Sequence, residues 1–138
     1  MPVTTEFTGL RVLLVEDEPL VCLLFEDMLA ELGCEIIGPA CNVDRATALA
    51  RDHESIQAAI LDVNVAGQVV FPVAKILSER GIPFSFATGL SAKGLPAAWQ
   101  SYPMVSKPVT MAQLAEALRQ ALRGWRREVE AAPVPGNS

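Results

Sequence analysis

The chain has 138 residues, 51% of them hydrophobic, which is enough for one domain with a substantial core and too few for two ordinary ones. Its formal charge of -5 repels nucleic-acid phosphates, so DNA or RNA binding by the whole chain is not expected. Neither a membrane-spanning apolar run nor a signal peptide's basic flank and apolar stretch is present, so a soluble, cytoplasmic protein is expected.

In chain order, Leu10 to Glu16 (LRVLLVE) is a short, branched apolar run that fits a strand buried on both faces. Pro19 then opens an amphipathic helix with Leu20, Leu24, Met28 and Leu32 as its apolar stripe, and Gly33 stops it. Cys34 to Gly38 reads as a second strand, and Asn42 caps a second helix that runs to about Arg51. Gln57 to Val63 is a third strand. Phe71 to Arg80 is a helix that tolerates Pro72 in its first turn and closes at Gly81. Ile82 to Ala87 and Tyr102 to Ser106 are the fourth and fifth strands, and between them Gly94 and Pro96 predict a short or distorted fourth helix. Thr110 and Gln113 form a capping box for a last helix with the stripe Leu114, Leu118, Leu122 and Trp125. Residues 1–9 and 128–138 are expected to be flexible segments around one domain over 10–127.

Strands and helices that alternate in this way predict an α/β fold, a parallel sheet with helices on both faces, whose functional groups gather at the carboxyl ends of the strands. Glu16, Asp17 and Glu18 stand at the end of the first strand, Asp62 at the third, Thr88 at the fourth, and Lys107-Pro108 at the fifth. Acidic groups crowded at the mouth of a buried sheet repel one another, and a hard divalent cation relieves this; oxygen-only donors favour Mg2+. Asp62 can then act as a nucleophile on phosphorus, with Lys107 balancing the charge and Thr88 donating its hydroxyl to the phosphoryl group.

Other features have simpler readings. Cys22, Cys34 and Cys41 are odd in number without a Cys-x-x-Cys pair, so reduced, mostly buried thiols are expected. His53 reads as a surface residue, and Trp99, Tyr102 and Trp125 as packing residues. Residues 1–62 hold 12 acids and 3 bases, whereas 63–138 hold 4 acids and 8 bases. Arg119, Arg123, Arg126 and Arg127 are read as complementing the dipole of the last helix.

The set Glu16-Asp17 in LLVEDEP, Asp62 in LDVN, Thr88-Gly89 and Lys107-Pro108 resembles the receiver domain of response regulators, over about Leu10 to Arg123. That resemblance implies a flavodoxin-like, five-stranded sheet of order 2-1-3-4-5. It implies Asp62 as phosphoacceptor, Asp17 as a direct Mg2+ ligand, Glu16 as a second acid acting through water, and Asn64 as a ligand through its backbone carbonyl. Thr88 and Lys107 would grip the phosphoryl group, and Lys107-Pro108 would be a cis peptide. Met104 occupies the position where most receivers carry Tyr or Phe, so activation is expected to work through Thr88 and the loop after it. The stretch Pro83 to Gly89 (PFSFATG) is similar to the signature of the FAT GUY subfamily, which implies a stand-alone regulator in a general stress response and a sensor histidine kinase of the HWE or a related type as partner. No DNA-reading unit follows, so the output is expected to be a downstream protein contact. The alternatives are a phosphate sink, a receiver fragment of a hybrid kinase and a haloacid dehalogenase-like phosphatase. The last wants Asp-x-Asp on the first strand, where this chain has Asp62-Val63-Asn64 on the third; a flavodoxin-like FMN carrier is excluded by Glu16-Asp17-Glu18, which repels phosphate.

Overall fold

Strand β1 (Arg11–Val15) buries every residue after Arg11, as a strand covered on both faces must. The structure, a computed structural model, describes residues 6–89 and 95–131, by backbone alone from residue 125. Helix α1 (Pro19–Glu31), β2 (Glu35–Ala40) and α2 (Val43–Asp52) come next, then β3 (Ala58–Asp62), which is buried throughout. A hairpin of β4 (Asn64–Val65) and β5 (Gln68–Val69) leads into α3 (Phe71–Glu79) and β6 (Phe84–Thr88). Among the described residues, a 3-10 turn, Ala97–Trp99, lies where the short fourth helix was expected, the rest of that stretch, 90–94, lying outside them, and β7 (Met104–Ser106) and α4 (Met111–Ala131) complete the described chain.

Five strands form one parallel sheet in the order β2-β1-β3-β6-β7. Counting this sheet's strands alone, the order is 2-1-3-4-5. The labels skip because the β4–β5 hairpin is a separate antiparallel pair. That hairpin was not expected. It turns through Ala66 at φ 51° and Gly67 at φ 83°, a pair of positive φ angles that matches the right-handed twist of its two strands.

Side chains alternate across the sheet and so feed two cores. Leu13, Val15, Leu61 and Phe86 face α2 and α3, while Val12, Leu14, Ile60 and Val105 face α1 and α4. Burial of one such side chain is worth about 1.5–3 kcal/mol. The first core extends into an aromatic group in which Trp99 stacks on Phe71 at 5.8 Å and Tyr102 on Phe84 at 4.7 Å. Trp99 and Tyr102 are thus packing residues, as expected; the side chain of Trp125 lies outside the described residues.

Three expectations need correction. Only the far end of the stripe Leu20, Leu24, Met28 and Leu32 belongs to the inner side of α1: Leu32, at its C-terminal end, is buried and Met28 packs against the second core. Leu20 is 78% and Leu24 59% exposed, and Cys22, Phe25 and Leu29 are buried instead. Apolar residues lie on two sides of this helix, and the large Phe25 and Leu29 take the side that meets the sheet. The segment 1–9 is packed over its described part, because Phe7 is 1% exposed in the second core and the Gly9 N–H donates to the Gly33 carbonyl at 2.8 Å. Arg119, assigned to the helix dipole, instead holds Glu6 through Nε at 2.8 Å and Glu116 at 3.3 Å. Residues 1–5 and 132–138 lie outside the described residues, as do the side chains of Arg126 and Arg127.

Local signals held where capping chemistry was explicit. Asn42 Oδ1 accepts from the Arg45 N–H at 2.7 Å, and Thr110 and Gln113 cap each other at 3.0 and 3.1 Å. His53 ends α2 and accepts from the Ser55 N–H through Nδ1 at 3.2 Å, a structural role on a half-buried ring. The thiols are free, with Cys22 and Cys34 buried and Cys41 exposed.

Candidate functional site

Parallel pairing puts the carboxyl ends of β1, β3, β6 and β7 on one edge, and the polar residues found there have no place in either apolar core. Glu16 follows β1 directly and is fully buried. Its position depends on β2. Gly38 adopts φ 97°, and a Cβ there would stand 2.8 Å from the Ala40 nitrogen, so only glycine fits. The irregular end of β2 places the Ala40 carbonyl where it accepts from the Glu16 N–H at 3.1 Å. The Glu16 carboxylate is held twice, Oε2 accepting from the Glu18 N–H at 3.1 Å and Oε1 from Lys107 Nζ at 2.7 Å.

Asp62 ends β3 with 7% of its surface exposed, and its Oδ2 lies 3.3 Å from the same Lys107 Nζ. Carboxylate oxygens of Glu16, Asp17 and Asp62 lie within 4.8 Å of one another. Burial, and then the Glu16 charge, push the Asp62 carboxyl up to about 7 against the pull of Lys107. Burial alone would lower the Lys107 ammonium, but the hydrogen bond to Glu16 and the charge of Asp62 outweigh it and hold the group above its ordinary value. Lys107 follows β7 and precedes Pro108 across a cis peptide, and its N–H donates to the Thr88 carbonyl at 2.9 Å. Thr88 closes β6 and is buried at 3% exposure. Asn64 is exposed in β4, one residue beyond Val63, whose N–H donates to the Ala87 carbonyl at 3.3 Å.

Five of the six expected site residues therefore converge at the ends of four strands: Glu16, Asp17, Asp62 and Lys107 by direct proximity, and Thr88 through its backbone bond to Lys107. Asn64 stands beside them on the hairpin. The three carboxylates against one ammonium carry an excess of negative charge, and their donors are all oxygen, which suits a hard divalent cation better than a softer metal. Two supports of the site were not anticipated: the Ala40 carbonyl and the β4–β5 hairpin. Gly38-Pro39 and Gly67 were the turn signals that could have marked them.

No protein-family model and no curated protein matches the chain. Solved structures do. SdrG from Sphingomonas melonis Fr1 is 41% identical over 83% of this chain and 97% of its own, with a TM-score of 0.74. SdrG from Pseudomonas melonis Fr1 in its BeF3-activated conformation is 40% identical over 83% and 98%, with a TM-score of 0.71. The response regulator PhyR from Brucella abortus is 26% identical over 90% of this chain and 53% of its own, with a TM-score of 0.72. The chain belongs to the receiver domain family of response regulators, whose members are signalling domains of two-component systems. No described helix is long and apolar enough to cross a membrane.

Proposed function

We propose that this receiver accepts a phosphoryl group on Asp62 from a sensor histidine kinase and, once modified, changes its contact with a downstream protein. One observation carries the reading: a single ammonium, Lys107 Nζ, bridges two buried carboxylates, Glu16 at 2.7 Å and Asp62 at 3.3 Å, beside the third carboxylate of Asp17. In the transfer, an Asp62 carboxylate oxygen forms a bond to phosphorus as the phosphorus–nitrogen bond of a phosphohistidine breaks, and the imidazole keeps the electron pair. Asp17 and Asp62 directly, Glu16 through water, and the Asn64 carbonyl would hold Mg2+, which when bound supplies charge neutralisation for the incoming phosphoryl oxygens. Lys107 then pairs with the phosphoryl group, and the Thr88 hydroxyl donates to it.

The added charge of about -2 is expected to draw on Thr88 and Lys107 together, which are joined by a backbone hydrogen bond. Thr88 leads through Gly89 toward the 3-10 turn at Ala97–Trp99, and Met104 stands where most receivers place an aromatic ring, so the segment after Thr88 is the output element. A stand-alone regulator of the FAT GUY type, serving a general stress response with an HWE or related kinase, is supported by the PFSFATG stretch and by likeness to SdrG, nearly all of whose solved chain is spanned. The existence of a BeF3-activated SdrG supports an equivalent activated state here.

The test is radiolabelling with acetyl phosphate and Mg2+, run beside turnover of p-nitrophenyl phosphate. Stoichiometric label that Lys107→Ala weakens, without sustained turnover, is expected. Sustained turnover would make the protein a phosphatase and overturn the proposal.

A further inference from the structure

Two of the clustered carboxylates, Glu16 and Asp17, are neighbours in the chain, so whatever fixes the Glu16 backbone fixes the origin of both. That backbone is set from β2. Leu13 pairs with Ile37 and Val15 with Ala40, which leaves Gly38 and Pro39 opposite Leu14 alone and bulges the end of β2. The bulge brings the buried Ala40 level with Val15, where its carbonyl accepts from the Glu16 N–H at 3.1 Å. Gly38 makes the bulge possible. A Cβ at this position would stand 2.8 Å from the Ala40 nitrogen and 3.3 Å from the Leu14 carbonyl oxygen. Both obstacles are backbone, one on each strand, so neither can swing aside as the end of a side chain could.

We propose that Gly38 is a positioning residue that makes the site prefer Mg2+ to Ca2+, by fixing the Glu16-Asp17 backbone relative to Asp62. The proposal rests on the metal-binding reading of the acidic cluster. Asp62 comes from β3, on the far side of β1 from β2, and the lysine beside it follows β7 at the opposite edge of the sheet. A side chain at position 38 therefore displaces two carboxylates and leaves the third in place. Glu16 does not regain its place by turning its side chain, because Oε2 is held by the Glu18 N–H and Oε1 by Lys107. The two cations differ in what they tolerate. Mg2+ demands near-ideal octahedral geometry at about 2.1 Å, whereas Ca2+ accepts more oxygens, at about 2.5 Å, in flexible arrangements. Spreading the donors therefore costs Mg2+ more than Ca2+.

The experiment measures Mg2+ and Ca2+ dissociation constants from the amide NMR shifts of Asp17 and Asp62 in wild type, Gly38→Ala, Gly38→Asn and Gly9→Ala. Gly9, at φ 78°, precedes the opposite end of β1, and a Cβ there meets nothing within 4 Å. Its variant thus carries the strain of a positive φ without the collision. Gly38→Asn bears the positive φ better than alanine and keeps the Cβ, so it reports the collision with less strain. Both substitutions of Gly38 are expected to weaken Mg2+ binding at least about tenfold, as losing the groups that orient a metal's ligands does, and Ca2+ binding by no more than about threefold. The Mg2+ concentration that half-saturates labelling by acetyl phosphate rises in step, and Gly9→Ala keeps the wild-type constants. Equal losses for the two cations, or the same change in Gly9→Ala, make Gly38 a residue of fold stability alone and overturn the proposal. An unchanged Mg2+ constant overturns it, as does failure of both Gly38 variants to fold. If wild type shows no shift at Asp17 and Asp62 with either cation, the metal-binding reading itself fails.

Discussion

Two clusters of four charged side chains tie distant parts of this chain together, and they are built in opposite ways. Glu6, Glu116, Arg119 and Arg123 form a balanced set, two acids and two bases, with every side chain at least 36% exposed. Glu16, Asp17, Asp62 and Lys107 form an unbalanced one, three acids against one base, in which the Glu16 side chain is 0% and that of Asp62 10% exposed. Water screens the first set and makes its members nearly interchangeable with neutral residues. The second set lies in a low-dielectric edge where each missing partner is felt, and its excess negative charge is a standing demand for a cation. The difference separates a fastening from a reactive centre.

The largest expected effect comes from Lys107→Met, which strands the buried Glu16 and Asp62 without their shared ammonium. Urea unfolding of the metal-free protein should show a loss of about 3 kcal/mol or more. A change no larger than that of a surface pair would mean the inner cluster is as dispensable as the outer one. Phe7→Ala sharpens the contrast from the other side. The N-terminal segment is held by a ring 1% exposed as well as by the Glu6–Arg119 pair, and the truncation should cost about 3 kcal/mol in the same titration.

Asp62 supplies the pH dependence. Its folded carboxyl, pushed up to about 7, keeps a proton that the unfolded chain releases near pH 4, so the native state binds more protons across that window. Metal-free wild type should therefore lose stability as pH rises from about 4 to about 7, and Asp62→Asn should flatten that slope. A slope of the same size in the variant would place the perturbed proton elsewhere. The smallest effect belongs to Arg119→Ala, whose midpoint should become indistinguishable from wild type once salt reaches about 0.5 M.

Much of this arrangement can be read from residue order, for definable reasons. Asp62 and Lys107 each end a short apolar run, and in a parallel sheet the end of a run is a place in space as well as in sequence. Caps such as Asn42 and the Thr110–Gln113 pair are local chemistry and were legible for that reason. The inner face of α1 was not, because leucines on two sides leave the helical period ambiguous until the sheet chooses Phe25 and Leu29. Nor was the packing of Phe7, a lone ring in a polar stretch whose burial depends on α4, more than a hundred residues away. The hairpin after Asp62 rests on two residues with positive φ, and one of them, Ala66, is of a type that rarely signals such a turn.

The central claim is that Asp62 carries the phosphoryl group, and borohydride trapping tests it at the level of the atom. Protein incubated with acetyl phosphate and Mg2+ is reduced, which converts an aspartyl phosphate to homoserine, then digested and read by peptide mass spectrometry. The account predicts homoserine at position 62 alone, absent when Mg2+ is chelated and absent in Asp62→Asn. Homoserine at another aspartate, or undiminished phosphoryl incorporation in Asp62→Asn, would contradict it.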